Sequence, residues 1–188
     1  MAITRLGGAN AITGVIPTSV GGTGSTAATL PASLINDTSI GNITALPAGV
    51  GGKVLQVVYA STTTEKVVSS ATFVDSGLSA SITPSATSSK VLVICEVASC
   101  GKASSNTRVV LKLLKGGSDL ITFAQEVGES GNTNTNKVGN TGTSYLDSPN
   151  TTSATTYKVQ MNSGAGTSYG QTGGSGAVST MTLMEIAG

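Results

Sequence analysis

The chain has 188 residues, of which 25 are Gly and only 3% are aromatic; charged residues make up 10%, against about 25% in ordinary globular domains. It has no His and no Trp, which excludes catalytic triads, metal sites and proton shuttles that depend on imidazole. Ten Lys and Arg against nine Asp and Glu give a net charge of +1. We therefore expect no nucleic-acid partner, because such proteins carry a basic surface.

The mean hydropathy of +0.21 argues against disorder, which requires low hydrophobicity and high net charge. A surface with so few charges promotes association, so we expect much of it to be buried against other chains. No stretch reaches the roughly 18–20 consecutive apolar residues of a membrane-spanning helix, and membrane insertion is not expected.

Residues 1–50 are predicted to form an extended attachment arm. Gly and Pro interrupt every apolar group in this segment, so neither a helical nor a two-residue period is sustained. Such a segment cannot form a core of its own, and we expect it to lie on a partner. Its candidate contact residues are apolar or Pro, namely Ile16, Pro17, Val20, Leu30, Leu34 and Ile35.

Residues 51–188 are predicted to be all-β and antiparallel, because short apolar runs recur at regular spacing with turn signals between them, which is typical of a sandwich or a barrel. The long last strand favours a jelly-roll-like sandwich. The final strand is expected to lie centrally in its sheet. The predicted strands cover 53–60, 71–77, 78–84, 90–99, 107–117, 118–126, 143–149, 154–163 and 177–187.

Three of these strands carry specific expectations. In 107–117, Val109, Leu111 and Leu113 alternate with polar positions and should point inward, as should Tyr157, Val159 and Met161 in 154–163. Gly116 and Gly117 are typical of a two-residue hairpin turn. Strand 90–99 is apolar on both faces, which predicts burial on both. Its residues Leu92, Val93 and Ile94 are therefore predicted at a subunit interface.

The segments 128–142 and 164–176 are predicted to be polar loops. Recognition residues concentrate on loops carried by a rigid scaffold, and Asn132, Asn134, Asn136 and Tyr169 offer the hydrogen bonds and stacking ring that a sugar requires. These four residues are the candidate receptor contacts. Solvated loops that bind nothing explain the composition equally well.

The remaining chemical groups favour structural roles. Cys95 and Cys100 are expected to be reduced and, at a separation of five on one strand, to point to opposite faces. Glu126 and Glu129 are the nearest approach to an acid pair. Asp75 and Asp147 are expected to bond turn backbone. Glu96 is expected to need a partner, for which Arg108 or Lys112 and a contact with another subunit are equal candidates. We predict no catalytic residue, no metal and no cofactor.

The segment GVIPTSVGGTGSTAATL (14–30) resembles the attachment or shaft region of bacteriophage tail-fibre proteins. The second part resembles the small β modules that end phage fibres and virion appendages, in FVDSGLSASITPSATSSKVLV (73–93), YLDSPNTTSATTYKVQ (145–160) and STMTLMEIAG (179–188).

This resemblance implies a homotrimer with a jelly-roll head of the tumour-necrosis-factor or C1q type. It also implies a place in the virion, where other virion proteins and a host surface glycan are the expected partners. A short tail fibre is the first interpretation and a capsid decoration or head-fibre protein the second. A polysaccharide depolymerase is a third class, disfavoured by the shortage of acids and aromatics.

Overall fold

In a computed structural model, residues 53–131, 136–171 and 176–188 are described. The predicted arm, with Ile16, Pro17, Val20, Leu30, Leu34 and Ile35, lies outside them, as do Asn132 and Asn134. The described residues form ten strands: β1 (Val54–Thr62), β2 (Lys66–Val68), β3 (Val74–Ile82), β4 (Lys90–Lys102), β5 (Val109–Lys115), β6 (Ser118–Val127), β7 (Asn136–Asp147), β8 (Thr155–Ser163), β9 (Ser168–Gly170) and β10 (Ser179–Ile186).

The strands form two antiparallel sheets, which confirms the predicted all-β sandwich. We call the first sheet A. It has the order β1-β10-β4, with β7 paired to the far side of β4 and the short strands β9 and β2 continuing from the end of β4. Sheet B has the order β3-β8-β5-β6. Apart from β2 and β9, this is the strand order of a jelly roll, with two four-stranded sheets. The final strand, β10, is central, as predicted.

The core lies between the sheets and is built by two-residue alternation. Val109, Leu111 and Leu113 of β5 are fully buried, as are Tyr157, Val159 and Met161 of β8, so both inward predictions are confirmed. From sheet A they meet residues of β4 and β10, among them Val91, Val93, Met181 and Leu183. The small side chains leave few aromatic contacts, and aliphatic burial supplies most of the apolar stabilisation.

The hairpin between β5 and β6 turns at Gly116 and Gly117, as predicted. Their φ angles are 55° and 93°. Positive φ at both central residues matches the right-handed twist of the flanking strands and favours Gly. A second irregularity falls in β3, where the register shifts between Asp75 and Ser79 around Gly77. The two strands predicted at 71–77 and 78–84 are consequently one bulged strand.

Two predicted loops contain strands instead. Much of 128–142 belongs to β7, which pairs along β4 through two register shifts. Within 164–176, the three residues of β9 bridge β2 and the end of β4. Both segments lack apolar periodicity because they lie at the edge or the end of sheet A. Backbone hydrogen bonds to β4 and β2 hold these segments in sheet A. The amino-acid composition of the segments does not indicate such pairing.

Candidate functional site

The predicted interface residues on β4 divide between the two faces of sheet A. Val93 has no exposed surface and packs in the core of the sandwich itself. Leu92 and Ile94 point to the opposite face, where Leu92 is half-buried and Ile94 is 42% exposed. Among the described residues, positions 90–96 of β4 are therefore covered on one face only. Of the three predicted interface residues, only Leu92 and Ile94 lie on the outer face of sheet A, where another chain could contact them.

Strand register extends this surface across four strands. Val57 of β1 lies opposite Met184 of β10, Met184 opposite Leu92, and Leu92 opposite Leu146 of β7. Residues directly opposite in an antiparallel pair share a face. The four side chains consequently form one continuous apolar row from edge to edge of the sheet.

A second row lies beside the first. Tyr59 is opposite Thr182, Thr182 opposite Ile94, and Ile94 opposite Ser144. Val57, Tyr59 and Leu146 are 58%, 60% and 52% exposed. We call the six large apolar residues of the two rows the apolar face: Val57, Tyr59, Leu92, Ile94, Leu146 and Met184.

Polar groups border the apolar face along β4. Lys90 lies beyond Leu92 and Glu96 beyond Ile94, both exposed on the same side of the strand. The Glu96 carboxylate accepts a hydrogen bond of 2.6 Å from Asn140 Nδ2 of β7. Neither Lys112 nor Arg108 is its partner, because Lys112 lies on β5 of the other sheet and Arg108 directly precedes that strand. The predicted pairing with these residues was wrong.

The outer face of sheet B has a different character. Lys158 Nζ lies 2.9 Å from Asp75 Oδ1, and Gln160 Nε2 donates to the same carboxylate at 2.7 Å. These hydrogen bonds hold the pKa of Asp75 below its ordinary value. Lys112 pairs with Asp119 at 2.9 Å and lies 4.1 Å from the centre of the Phe73 ring. Side-chain pairs satisfy the charges on this face, which is suited to water.

The receptor residues are only partly brought together. Tyr169 lies in β9, half-buried, between Gly101 of β4 and Val67 of β2, and is a strand residue where a loop was predicted. Asn136 begins β7 and is likewise part of a strand. Since Asn132 and Asn134 lie outside the described residues, the glycan-binding prediction stays a prediction.

Two buried carboxylates, whose burial the sequence pattern did not indicate, connect the two sheets of the sandwich. Asp147 of β7 is buried, accepts a hydrogen bond of 2.7 Å from Tyr157 Oη and lies 2.9 Å from Lys115 Nζ. Burial and this hydrogen bond raise the pKa of Tyr157 well above its ordinary range. The expectation that Asp75 and Asp147 bond turn backbone was wrong, because both lie in strands and bond side chains.

Glu185 of β10 is fully buried. Its carboxylate accepts hydrogen bonds from the Ser85 backbone N–H at 2.7 Å, Ser85 Oγ at 2.6 Å and Gln56 Nε2 at 2.6 Å. Burial alone raises the pKa of a carboxyl, but the hydrogen bonds from Ser85 and Gln56 outweigh it, and the pKa of Glu185 falls to about 2. The carboxylate is therefore a structural anion that fastens the segment after β3 to sheet A.

The cysteines and exposed acids form no reactive cluster. Cys95 and Cys100 are free thiols in the same core, and the prediction that they point to opposite faces was wrong. A bulge around Ser99, whose φ is 48°, shifts the alternation between them. Burial raises the pKa of both thiols to about 11. Glu129 lies 3.6 Å from Arg108 in an exposed ion pair.

Across 53–131, 136–171 and 176–188, no three Asp, Glu or Cys side chains come together as a metal site requires. The same residues contain no helix long and apolar enough to cross a membrane.

Sequence comparisons found no match among protein-family models or curated proteins. The solved structures that are similar in part include two of virus particles. The first is described as the crystal structure of the infectious bursal disease virus VP2 subviral particle, with a TM-score of 0.41, 16% identity, and coverage of 71% of this chain and 33% of that one.

The second is described as the structure of the infectious bursal disease virus Gx strain, with a TM-score of 0.38, 12% identity, and coverage of 70% of this chain and 40% of that one. The chain thus spans about a third of the first structure's length and two fifths of the second's. The order of the strands in the two sheets establishes the fold of this chain.

Proposed function

We propose that this protein is a non-enzymatic structural component of a bacteriophage virion, a short trimeric tail fibre or fibre tip. Residues 1–50 dock on the tail, and the jelly roll is presented to the host surface. The proposal joins the sequence resemblance to tail fibres with the two unlike outer faces of the sandwich. The expected partners are further copies of the chain, other virion proteins and a host glycan.

The apolar face is the observation that carries the proposal. Antiparallel sheets of a free-standing sandwich bury one face and present polar side chains on the other. Sheet B follows this pattern through Asp75, Lys158 and Lys112. Sheet A instead presents an aliphatic and aromatic band on its outer side, as a subunit of a larger assembly does.

A capsid decoration or head-fibre protein is the second candidate. One feature favours it: the described chain enters the jelly roll at Val54 and continues in jelly-roll strands to Ile186, without a fibrous repeat among the described residues. A decoration protein needs only an anchoring segment and a compact module.

The test is the position and copy number of the protein on the particle. Gold-labelled antibodies against the jelly roll should mark the tail tip when purified phage is imaged by electron microscopy. Quantitative mass spectrometry of the same particles should give a copy number that is a small multiple of three. Label over the whole head with hundreds of copies would establish the decoration role. Absence from purified particles would refute both.

Receptor binding has a separate test in Tyr169→Ala. Val67→Ala is the matched control, because Val67 is paired with Tyr169 on the adjacent strand. If Tyr169 stacks on a sugar, the rate of phage adsorption should fall in the first variant and hold in the second, with particle yield unchanged in both. Equal adsorption rates for the two variants would show that Tyr169 does not contact the receptor.

A further inference from the structure

We infer that the copies of this chain meet on the apolar face of sheet A, so that the three sandwiches turn this face inward and their sheet B faces outward. The inference rests on the trimer of the proposed function and deepens it. It names the surface, its residues and its occupant, which is a second copy of the same chain.

The area of the face fits such an interface. Val57, Tyr59, Ile94 and Leu146 are each 42–60% exposed. The largest apolar patch on a monomer measures roughly 300–600 Å² and is often functional. Each partner of a stable complex buries roughly 800 Å², so the interface includes the bordering polar groups as well as the apolar face.

The arrangement of polarity also fits. Interfaces have an apolar centre and a polar rim. Here the centre is the two rows of the apolar face, which enclose Thr182 of the central strand β10. The rim includes Ser144 on the edge strand β7 and the charges of Lys90 and Glu96. Leu146 and Val57 lie at the two edges of the sheet, so the face can contact one neighbour at each side, as a closed ring of three requires.

Charge favours a second copy over a charged partner. Lys90 and Glu96 are opposite in sign and lie at opposite ends of the outward row of β4, so neither a polyanion nor a basic protein finds a complementary field there. The whole chain carries +1, and copies approach one another with little repulsion.

The experiment uses the full chain at micromolar concentration, with mass measured by light scattering after size exclusion. The wild type should have three times the chain mass of 18.5 kDa. Ile94→Lys and Leu146→Lys should each reduce the mass threefold, because they introduce charges into the apolar centre. Ser81→Lys, on the exposed outer side of sheet B, is the matched control and should remain trimeric.

Hydroxyl-radical footprinting of the wild type tests the surface without relying on any variant's folding. Tyr59 and Leu146 should be protected from labelling, whereas Val67, exposed on β2, should be labelled. A trimer that leaves Tyr59 reactive, or one that persists in both Lys variants, overturns the inference. A monomer does so as well, and a monomer with Tyr59 protected would indicate that residues 1–52 cover the face.

These outcomes are separable from those of the proposed function. Footprinting and mass report on the purified chain, whereas gold labelling reports on its place in the particle. A trimer that buries the apolar face but is absent from virions would refute the proposed function and leave the inference standing.

Discussion

Neutralising Glu185 should destabilise the fold by an amount that depends on pH. In Glu185→Gln the side chain keeps its shape but loses its charge, and its amide NH₂ places a donor among the donors of Ser85 and Gln56. Hydrogen bonds to a charged group contribute about 1.5–3 kcal/mol each, and unmatched donors add a desolvation cost. The variant should therefore be less stable than the wild type at pH 7.

The pKa gives the magnitude. The folded pKa of about 2, against an ordinary value of 4.5, corresponds to roughly 3 kcal/mol of stability at neutral pH. Because the folded pKa is depressed, this contribution is complete above about pH 5 and is lost as the pH falls through the folded value. It should decline to roughly 1–1.5 kcal/mol at pH 3 and nearly vanish by pH 2.

The assay is urea unfolding of the wild type and Glu185→Gln at one protein concentration, followed by far-ultraviolet circular dichroism at pH 7 and pH 3. Glu126→Gln is the matched control, since Glu126 is exposed on β6, and its effect should stay within about 0.5 kcal/mol. A difference between wild type and Glu185→Gln that is equal at the two pH values, or below 0.5 kcal/mol at pH 7, would refute the assignment of Glu185 as a buried anion.

Three further outcomes follow from the interior and the hairpin. Tyr157→Phe should lower the free energy of unfolding by about 1–2 kcal/mol, because Asp147 loses a buried donor; an unchanged denaturation midpoint would contradict this. The two cysteine thiols, with pKa values near 11, should resist alkylation at pH 7.5 in the folded protein and react fully in denaturant; rapid labelling of the native protein would show that they are accessible. Gly117→Val should destabilise the hairpin by about 1 kcal/mol or more, whereas Gly116→Asn should be tolerated, because Asn adopts positive φ more readily than a β-branched residue; equal unfolding midpoints for the two variants would oppose this explanation.

The local features of the fold were predictable because they depend on residues close in sequence. Alternation over two residues placed Val109 and Tyr157 inward, and the paired glycines at 116 and 117 marked a turn. The same reasoning failed at Cys100. A bulge inserts an extra residue opposite a strand that is distant in sequence, and the side chains after it point to the opposite face from the one that simple alternation predicts.

The candidate site was only half predictable. An apolar outer side on β4 pointed to Leu92 and Ile94, and the same signal in KVLQVVYA offered Val57 and Tyr59, which were missed. Leu146 lies in the predicted strand 143–149, where the only large apolar residues, Tyr145 and Leu146, are adjacent and so give no two-residue alternation. Whether these residues form a surface depends on strand register, which joins positions far apart in sequence, such as Leu92 with Leu146 and Val57 with Met184.

The sequence by itself determined that this is a β protein with few charges, small side chains and no imidazole chemistry, since composition and short-range periodicity are properties of the chain alone. The tertiary structure decided which strands are neighbours. Placing β10 between β1 and β4 assembled one apolar face from four separate segments and brought Glu185 beside Gln56 of β1. Packing of the two sheets brought Asp147 of β7 to the Tyr157 donor of β8. Those outcomes depend on non-local pairing, because a residue's burial and partners are set by strands that the local pattern does not specify.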